Sequence, residues 1–483
     1  MKKRWFAAVV VLAVAAGCNA NQREFTPPPA PTVSGYGFTP PPETASADVA
    51  GGAAQRFRPE MEIPAQWWTL FHSPELNALA LRAIRANPDL AAAQAALRGA
   101  HELVLAQRGA RYPSIDGAVT VSEQRNPSAL APPLANNSNV FSLSTAQVNV
   151  AYAPDVFHGV RYQIQTVAAQ AEAQRFQVAA TYIALTGNLV NAAVGVASLR
   201  AQIAATQRLI LLGNELLEIT RRQKTLGQAA GLDVLAQESA LASLEQTLPP
   251  LQKQLAVQHD LVAALAGSAP GDVGTLNFEL AALHLPEDLP LSLPSKLVEQ
   301  RPDVRAADAN LESAGAQVGV AAANRWPSFP LTATMGSVTT TLLSFLTPGS
   351  FTYNLVAGVT QPIFDGGTLK HRQKAAEAVY DQALAQYRSA VLSAFQNVAD
   401  SLHALDNDAE TLRAATKSER AAAATLAAVR AQQRLGQVAY PAVVSARQAE
   451  EQATLALVQA RAARYTDTAA LLVALGGGWW RAP

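Results

Sequence analysis

Two kinds of periodicity follow one another along this chain, and the succession occurs twice. From Ile115 to Ser122, Ile115, Gly117, Val119 and Val121 alternate with Asp116, Ala118, Thr120 and Ser122. From Phe329 to Gly336, Phe329, Leu331, Ala333 and Met335 alternate with Pro330, Thr332, Thr334 and Gly336. Phe141 to Ala153 and Phe351 to Thr360 are their predicted partners. A period of two puts one residue set on each face of a strand, so four strands are predicted, one face in lipid and the other in water. The Pro- and Asn-bearing segments Asn126 to Asn139 and Leu346 to Ser350 read as their hairpin loops.

Around the strands the pattern is helical. Asp89 to Arg111 and Asp303 to Arg325 each open on Pro-Asp and stop before an aromatic-Pro-Ser. No proline occurs from Asp155 to Leu248 or from Ile363 to Tyr440. Val160 to Leu226 is 67 residues, which as one helix would be about 100 Å long. Leucines at three and four spacings, as in Leu209, Leu212, Leu216 and Ile219, suit coiled-coil-like packing. Leu226-Gly227-Gln228 and Leu435-Gly436-Gln437 are predicted to turn the rods back, because Gly accepts the left-handed backbone of a helix stop. The returning helices run to Leu265-Ala266-Gly267 and to Leu475-Gly476.

The two successions are copies of one unit. Pro88-Asp89 falls on Pro302-Asp303 and Pro113-Ser114 on Pro327-Ser328 at a shift of 214. Phe157-His158-Gly159 falls on Phe364-Asp365-Gly366 at 207, and Leu226-Gly227-Gln228 on Leu435-Gly436-Gln437 at 209. The predicted organisation is a signal peptide (1–17), a lipidated Pro-rich segment (18–60), a first repeat (61–267), a belt linker (268–295), a second repeat (296–476) and a tail (477–483). The fold class expected is mainly α with a membrane β-barrel part.

Composition changes this picture in three ways. Lys+Arg and Asp+Glu balance at 37 each, which removes the basic field that nucleic acid needs. The N-terminus carries Lys2, Lys3 and Arg4, then twelve apolar residues from Trp5 to Ala16, too few to span a bilayer. Cys18 is the only cysteine, which excludes an internal disulfide, and the Ala15-Ala16-Gly17-Cys18 junction resembles a bacterial lipobox, a resemblance that implies a fatty-acyl (palmitate-bearing) anchor on Cys18 although Ala15 stands where Leu is usual. No later stretch is expected to cross a membrane as a helix, so a crossing must use strands. Four strands cannot close a barrel; two copies would supply eight and three copies twelve, and a water-filled lumen favours three.

Leu297-Val298-Glu299-Gln300-Arg301-Pro302-Asp303-Val304-Arg305, Gln317-Val318-Gly319-Val320-Ala321 and Trp326-Pro327-Ser328 resemble the signature of the TolC superfamily, in its OprM- and NodT-type lipoprotein branch. Trp67-Trp68-Thr69-Leu70-Phe71, Pro362-Ile363-Phe364-Asp365-Gly366-Gly367 and Leu475-Gly476-Gly477-Gly478-Trp479 resemble further blocks. The resemblance implies a homotrimer in the outer membrane, with a twelve-stranded barrel continued by a periplasmic helical barrel. It also implies a periplasmic adaptor at the tips (Leu226, Gly227, Gln228, Leu435, Gly436, Gln437) and an inner-membrane pump, of resistance-nodulation-division type, behind that adaptor. Where relatives carry an acidic constriction after the second tip, this chain has Ala442 and Ser445 beside Tyr440; Asp233 keeps the acid in the first copy only. Apolar narrowing with little cation selectivity is therefore expected.

An enzyme is not expected. The histidines (72, 101, 158, 259, 284, 371 and 403) are scattered, with no His-Glu-x-x-His, Gly-x-Ser-x-Gly or phosphate loop, so neither metal nor cofactor is predicted. The alternative from another class is a lipid-anchored coiled-coil tether of the envelope, which would not need the alternating stretches.

Overall fold

The computed structural model describes residues 41–59, 61–125, 127, 139–272, 277–291, 294–341, 344, 347 and 349–481. The predicted signal segment, Cys18, most of the first strand-connecting loop and part of the second lie outside them. In chain order the elements are β1 (Arg56–Pro59), α1 (Pro74–Ala86), α2 (Pro88–Gly109), β2 (Ser114–Arg125), β3 (Val140–Tyr152), α3 (Gly159–Thr225), α4 (Gly231–Leu265), β4 (Asp288–Leu291), α5 (Pro294–Gln300), α6 (Pro302–Ala323), β5 (Leu331–Thr339), β6 (Phe351–Ala357), α7 (Thr368–Arg434) and α8 (Tyr440–Ala474). They fall into two compact units.

One unit holds Arg98–Ala173 and Asp308–Gln386. Its sheet has the order β2-β3-β5-β6, antiparallel throughout. Ile115 pairs with Val150, Val150 with Ala333, and Ala333 with Leu355, so the predicted apolar sets share one face. That face is bare in the single chain: Val119 and Leu355 are each 73% exposed. β2 and β6 are the edges. Pro330 interrupts the last ladder because it has no N–H to donate; Gly358 N donates to Pro330 O, and the Ser328–Thr360 bridge continues the same register. This is why β5 begins at Leu331 rather than Phe329. The helices preceding the strands end two residues earlier than predicted, at Gly109 and Ala323; tight turns at Ala110–Tyr112 and Arg325–Trp326 finish them.

One expectation from the repeat is corrected. The ladders pair Ser114 with Ala151 and Leu331 with Ala357, so with β2 and β5 related by 214, β3 and β6 are related by 209. The long helices, Gly159–Thr225 and Thr368–Arg434, start and end at the same 209. The shift of 207 at Phe157 is therefore a chance likeness: Phe157 stands where Gly366 does and stacks on Trp326 at 5.3 Å, whereas Phe364 is exposed. Different aspartates cap the two helices. Asp155 accepts from Val160 N and Arg161 N, Asp365 from Gly367 N and Leu369 N. The Leu369 and Gly367 amides hold the Asp365 carboxyl below its ordinary range.

The other unit holds the remaining described residues within Pro29–Leu97, Gln174–Ala307 and Tyr387–Pro483. Its core gathers Trp67, Trp68 and Phe71 against α3, where Trp67 Nε1 donates to Thr186 Oγ1 at 3.2 Å and Tyr182 Oη to Ala65 O at 3.2 Å. α3 contains a window long and apolar enough to cross a membrane by composition, with mean hydropathy 1.4, and 67% of it is buried. The charge-free run Gln177 to Leu199 explains it: Leu189, Val190, Ala193 and Val196 are fully buried core of this unit. β1 pairs in parallel with β4, Arg56 opposite Asp288. Arg301, from the Arg-Pro-Asp string, donates to Asp303 and to Ala474 O, and Trp479 Nε1 donates to Gln300 O at 2.7 Å.

Candidate functional site: hairpin tips and open edges

Each rod turns back through the same local device. In the first hairpin, Gly227 N donates to Lys224 O and Gln228 N to Gln223 O, with Gly227 at φ 75°. In the second, Gly436 N donates to Gln433 O and Gln437 N to Gln432 O, with Gly436 at φ 74°. These paired bonds close the orphan carbonyls of a helix end, and the left-handed residue between them is the reason for Gly. The leucines preceding those glycines are left outside: Leu226 is 72% and Leu435 73% exposed. Gln228 and Gln437 are exposed as well.

Below the turns the hairpins are zipped by apolar side chains. Leu217, Val234 and Leu241 pack with Ile210 in the first, and Leu426, Val443 and Ala446 with Val429 in the second. α3 also meets α8, through Arg208 Nε to Glu451 Oε1 at 2.8 Å and Gln459 to Gln202 at 3.3 Å. α3 thus lies between α4 and α8.

Of the predicted constriction residues, Ala442 and Ser445 are exposed on one side of α8, while Val443 and Val444 between them are buried. Tyr440 is engaged: its hydroxyl donates to Glu215 Oε1 at 2.6 Å, and Arg447 lies 4.0 Å from the same carboxylate. The Glu215 hydrogen bond raises the phenol's pKa above its ordinary value, with partial burial adding to it. Sequence reasoning missed Glu215 and Arg447. Both sit in unbroken helical text, and only the choice of neighbour makes them a pair. Asp233 accepts from Ala230 N at 2.7 Å and so acts as a helix cap.

Among the described residues no cluster of His, Cys, Asp and Glu could hold a metal ion. What the arrangement offers is mechanical: a sheet with two unpaired edges and a bare apolar face, and two rods ending in exposed leucines. An edge strand presents a row of backbone N–H and C=O groups to which a further strand can pair.

The chain is similar to the pyoverdine export outer membrane protein OpmQ of Pseudomonas putida, 29% identical over 371 residues, 75% of this chain and 78% of that one. It is similar to the probable efflux pump outer membrane protein TtgC of the same species, 28% identical over 424 residues, 86% of this chain and 83% of that one. The solved structure of the outer-membrane channel OprN superposes with a TM-score of 0.81 at 23% identity, covering 94% of this chain and 99% of that one, so its fold is that of this chain. The outer membrane efflux protein family matches residues 79–268 and 293–477, the two copies of the repeat. A duplicated unit of two strands and a long helical hairpin, matched copy by copy over most of its length, makes this chain a member of the outer membrane efflux protein family.

Proposed function

We propose that this protein is the outer-membrane exit duct of a tripartite efflux system: a passive, gated channel that does no bond chemistry. The observation that carries the reading is the sheet with an apolar face and two open edges, a structure that is complete only when shared between chains. The names of its relatives, an export protein and an efflux pump component of the outer membrane, support the same assignment.

Three copies would give twelve strands, wide enough for a water-filled lumen. The internal seam supplies the register of the seam between chains. β3 meets β5 with Val150 opposite Ala333 and Val148 opposite Met335. Carried over at 209 and 214, these pairs become Val359 opposite Val119, and Ala357 opposite Val121, of a second copy. That register sets the exposed apolar face of β6 beside the exposed apolar face of β2, whereas a slip of one residue would turn one strand over.

In this reading Cys18 carries the lipid anchor, and a periplasmic adaptor docks at Leu226, Gly227, Gln228, Leu435, Gly436 and Gln437, joined in turn to an inner-membrane pump of the resistance-nodulation-division type. The second tip, with Tyr440, Ala442 and Ser445, is the constriction. The Tyr440–Glu215 bond supports this part, since it ties that hairpin to α3.

The decisive test is conductance of the purified protein in a planar bilayer, with its mass measured in the same detergent. Rare, small openings from a trimer are expected; a monomer that never conducts would overturn the proposal. Ala357→Cys with Val121→Cys and a short thiol cross-linker should yield dimers and trimers. Val356→Cys with Val121→Cys, on opposite faces, should not.

A further inference from the structure

Arg464 of α8 is 0% exposed and belongs to neither the turns nor the sheet. Its guanidinium reaches the segment between Thr44 and Gln55: Nη2 donates to Thr44 Oγ1 at 3.0 Å and Ala53 O at 2.8 Å, Nε to Gln55 Oε1 at 3.3 Å, and Nη1 to Gly51 O at 3.5 Å. Gln55 Nε2 donates in turn to Thr468 Oγ1 and to Pro286 O. At Gly51, with φ 75°, a Cβ would come within 2.6 Å of the Tyr465 hydroxyl, so the strap lies flat on α8. All of these acceptors are neutral. A buried cation needs a balancing charge, and the carboxyl that acts on Arg464 is Asp408, across on α7.

Asp408 faces a second acid, Asp467, one turn beyond Arg464 on α8. Asp408 Oδ2 is buried and meets no donor. An acceptor set against an acceptor is stable only with a proton between them. Burial, then the hydrogen bond to Asp467 and its charge, push Asp408 up to about 7, while Arg464 pulls the other way. Of the other charges nearby, Asp48 of the strap pairs with Arg420 at 2.6 Å, Glu287 and Asp288 pair with Arg56 and Arg58, and Arg461, one turn before Arg464 on α8, donates to Leu280 O at 3.4 Å and acts on the Tyr465 hydroxyl.

We infer that Asp408, Asp467 and Arg464 form a proton-operated lock that fastens the strap from Thr44 to Gln55 onto α7 and α8. With one shared proton the acid pair carries a single negative charge, which balances Arg464. With that proton gone the pair carries two, one in excess in a half-buried site. Because Asp408 binds its proton more tightly in the folded state than in the unfolded, its stabilising contribution is complete below the ordinary value of 3.8 and lost as pH rises through about 7. The strap is therefore fastened in acid and eased on the alkaline side of neutrality.

Hydrogen exchange of the strap amides in the full-length protein tests this, using Thr44 N, which donates to Gln55 O at 2.9 Å, and Gln55 N, which donates to Thr44 Oγ1 at 3.0 Å. After correction for the intrinsic rate, opening should be roughly tenfold more frequent at about pH 8 than at about pH 5.5. Asp408→Asn should abolish that difference while the amides of α3 and α7 keep their protection, and Asp467→Asn provides the same test from the other side of the pair. Equal protection of the wild-type strap at both pH values would overturn the lock without any variant, as would an undiminished difference in both variants.

Discussion

The two helical hairpins are copies of one unit, yet they are held by different means. α3–α4 is self-sufficient at its tip: Asp233 closes the start of the return helix by accepting from Ala230 N. α7–α8 has Ala442 at the corresponding place and no side-chain cap at Ala439. Instead it is tied from outside, through Tyr440 to Glu215 of the other copy. The return helices differ too, for α4 runs through Pro249 and Pro250, which leave two carbonyls without their intrahelical donors, while α8 has proline only in its first turn. Duplication preserved the Leu-Gly-Gln turn, which is a backbone requirement, and let the side-chain fastenings diverge. A tip fastened through its neighbour can be loosened by breaking contacts between the copies, Tyr440–Glu215 first among them; a tip capped by its own side chain cannot.

The largest effect that can break this comparison comes from the apolar zippers, where the copies should behave alike. Leu426→Ala removes a side chain 2% exposed, and Leu241→Ala one 7% exposed. Each should cost about 2–4 kcal/mol locally, read as lost exchange protection over the adjoining turns. A zipper cost confined to one hairpin would mean that the copies differ in their cores as well. Next in size is Tyr440→Phe, which removes one charge-assisted hydrogen bond at an exposed site, worth about 1 kcal/mol. More frequent channel openings are expected from it, and Asp233→Asn should leave the opening rate unchanged. The pH dependence has a fixed sign. The folded-state phenol has a raised pKa, so its contribution is present below the ordinary value of 10.0 and lost as pH rises above it. Wild-type openings should rise in that alkaline range and those of Tyr440→Phe should not. Identical alkaline profiles would remove Tyr440 as the fastening.

How far the chain's text could be read follows from which interactions are local. The strands, rods and turns were legible because alternation, the absence of proline and a Gly at a helix stop act within a few residues. The offset at Phe157 was misread because a three-residue likeness outweighed the pairing register, which only the ladders define. The uncharged middle of α3 was passed over because its asparagines interrupt the apolar run, although the packed unit buries it. Glu215, Arg447 and the Arg464 lock were not legible at all. Their partners lie 225, 232 and about 410 positions away in sequence, and nothing in helical periodicity says which rods are neighbours.

The smallest effect sharpens the comparison most, because it converts the second tip into the first. Ala442→Asp places a carboxylate at the third position of α8, where Asp233 stands in α4. If local geometry alone set the cap, the new side chain would accept from Ala439 N and add about 0.5–1 kcal/mol to the first helical turn. Pro441 at the second position does not oppose this, since the amide it lacks is one a first turn leaves unpaired. Slower amide exchange at the start of α8 would register the gain. The same substitution adds a negative charge on the exposed side of the tip, so single-channel records should show higher cation preference if that side lines the constriction. A stronger cap with unchanged selectivity would separate the two roles: the fastening argument would stand, and Ala442 would be removed from the pore. Higher cation preference without slower exchange would do the reverse, placing Ala442 in the pore and leaving the second tip without a side-chain cap of its own, still tied through Tyr440 to Glu215.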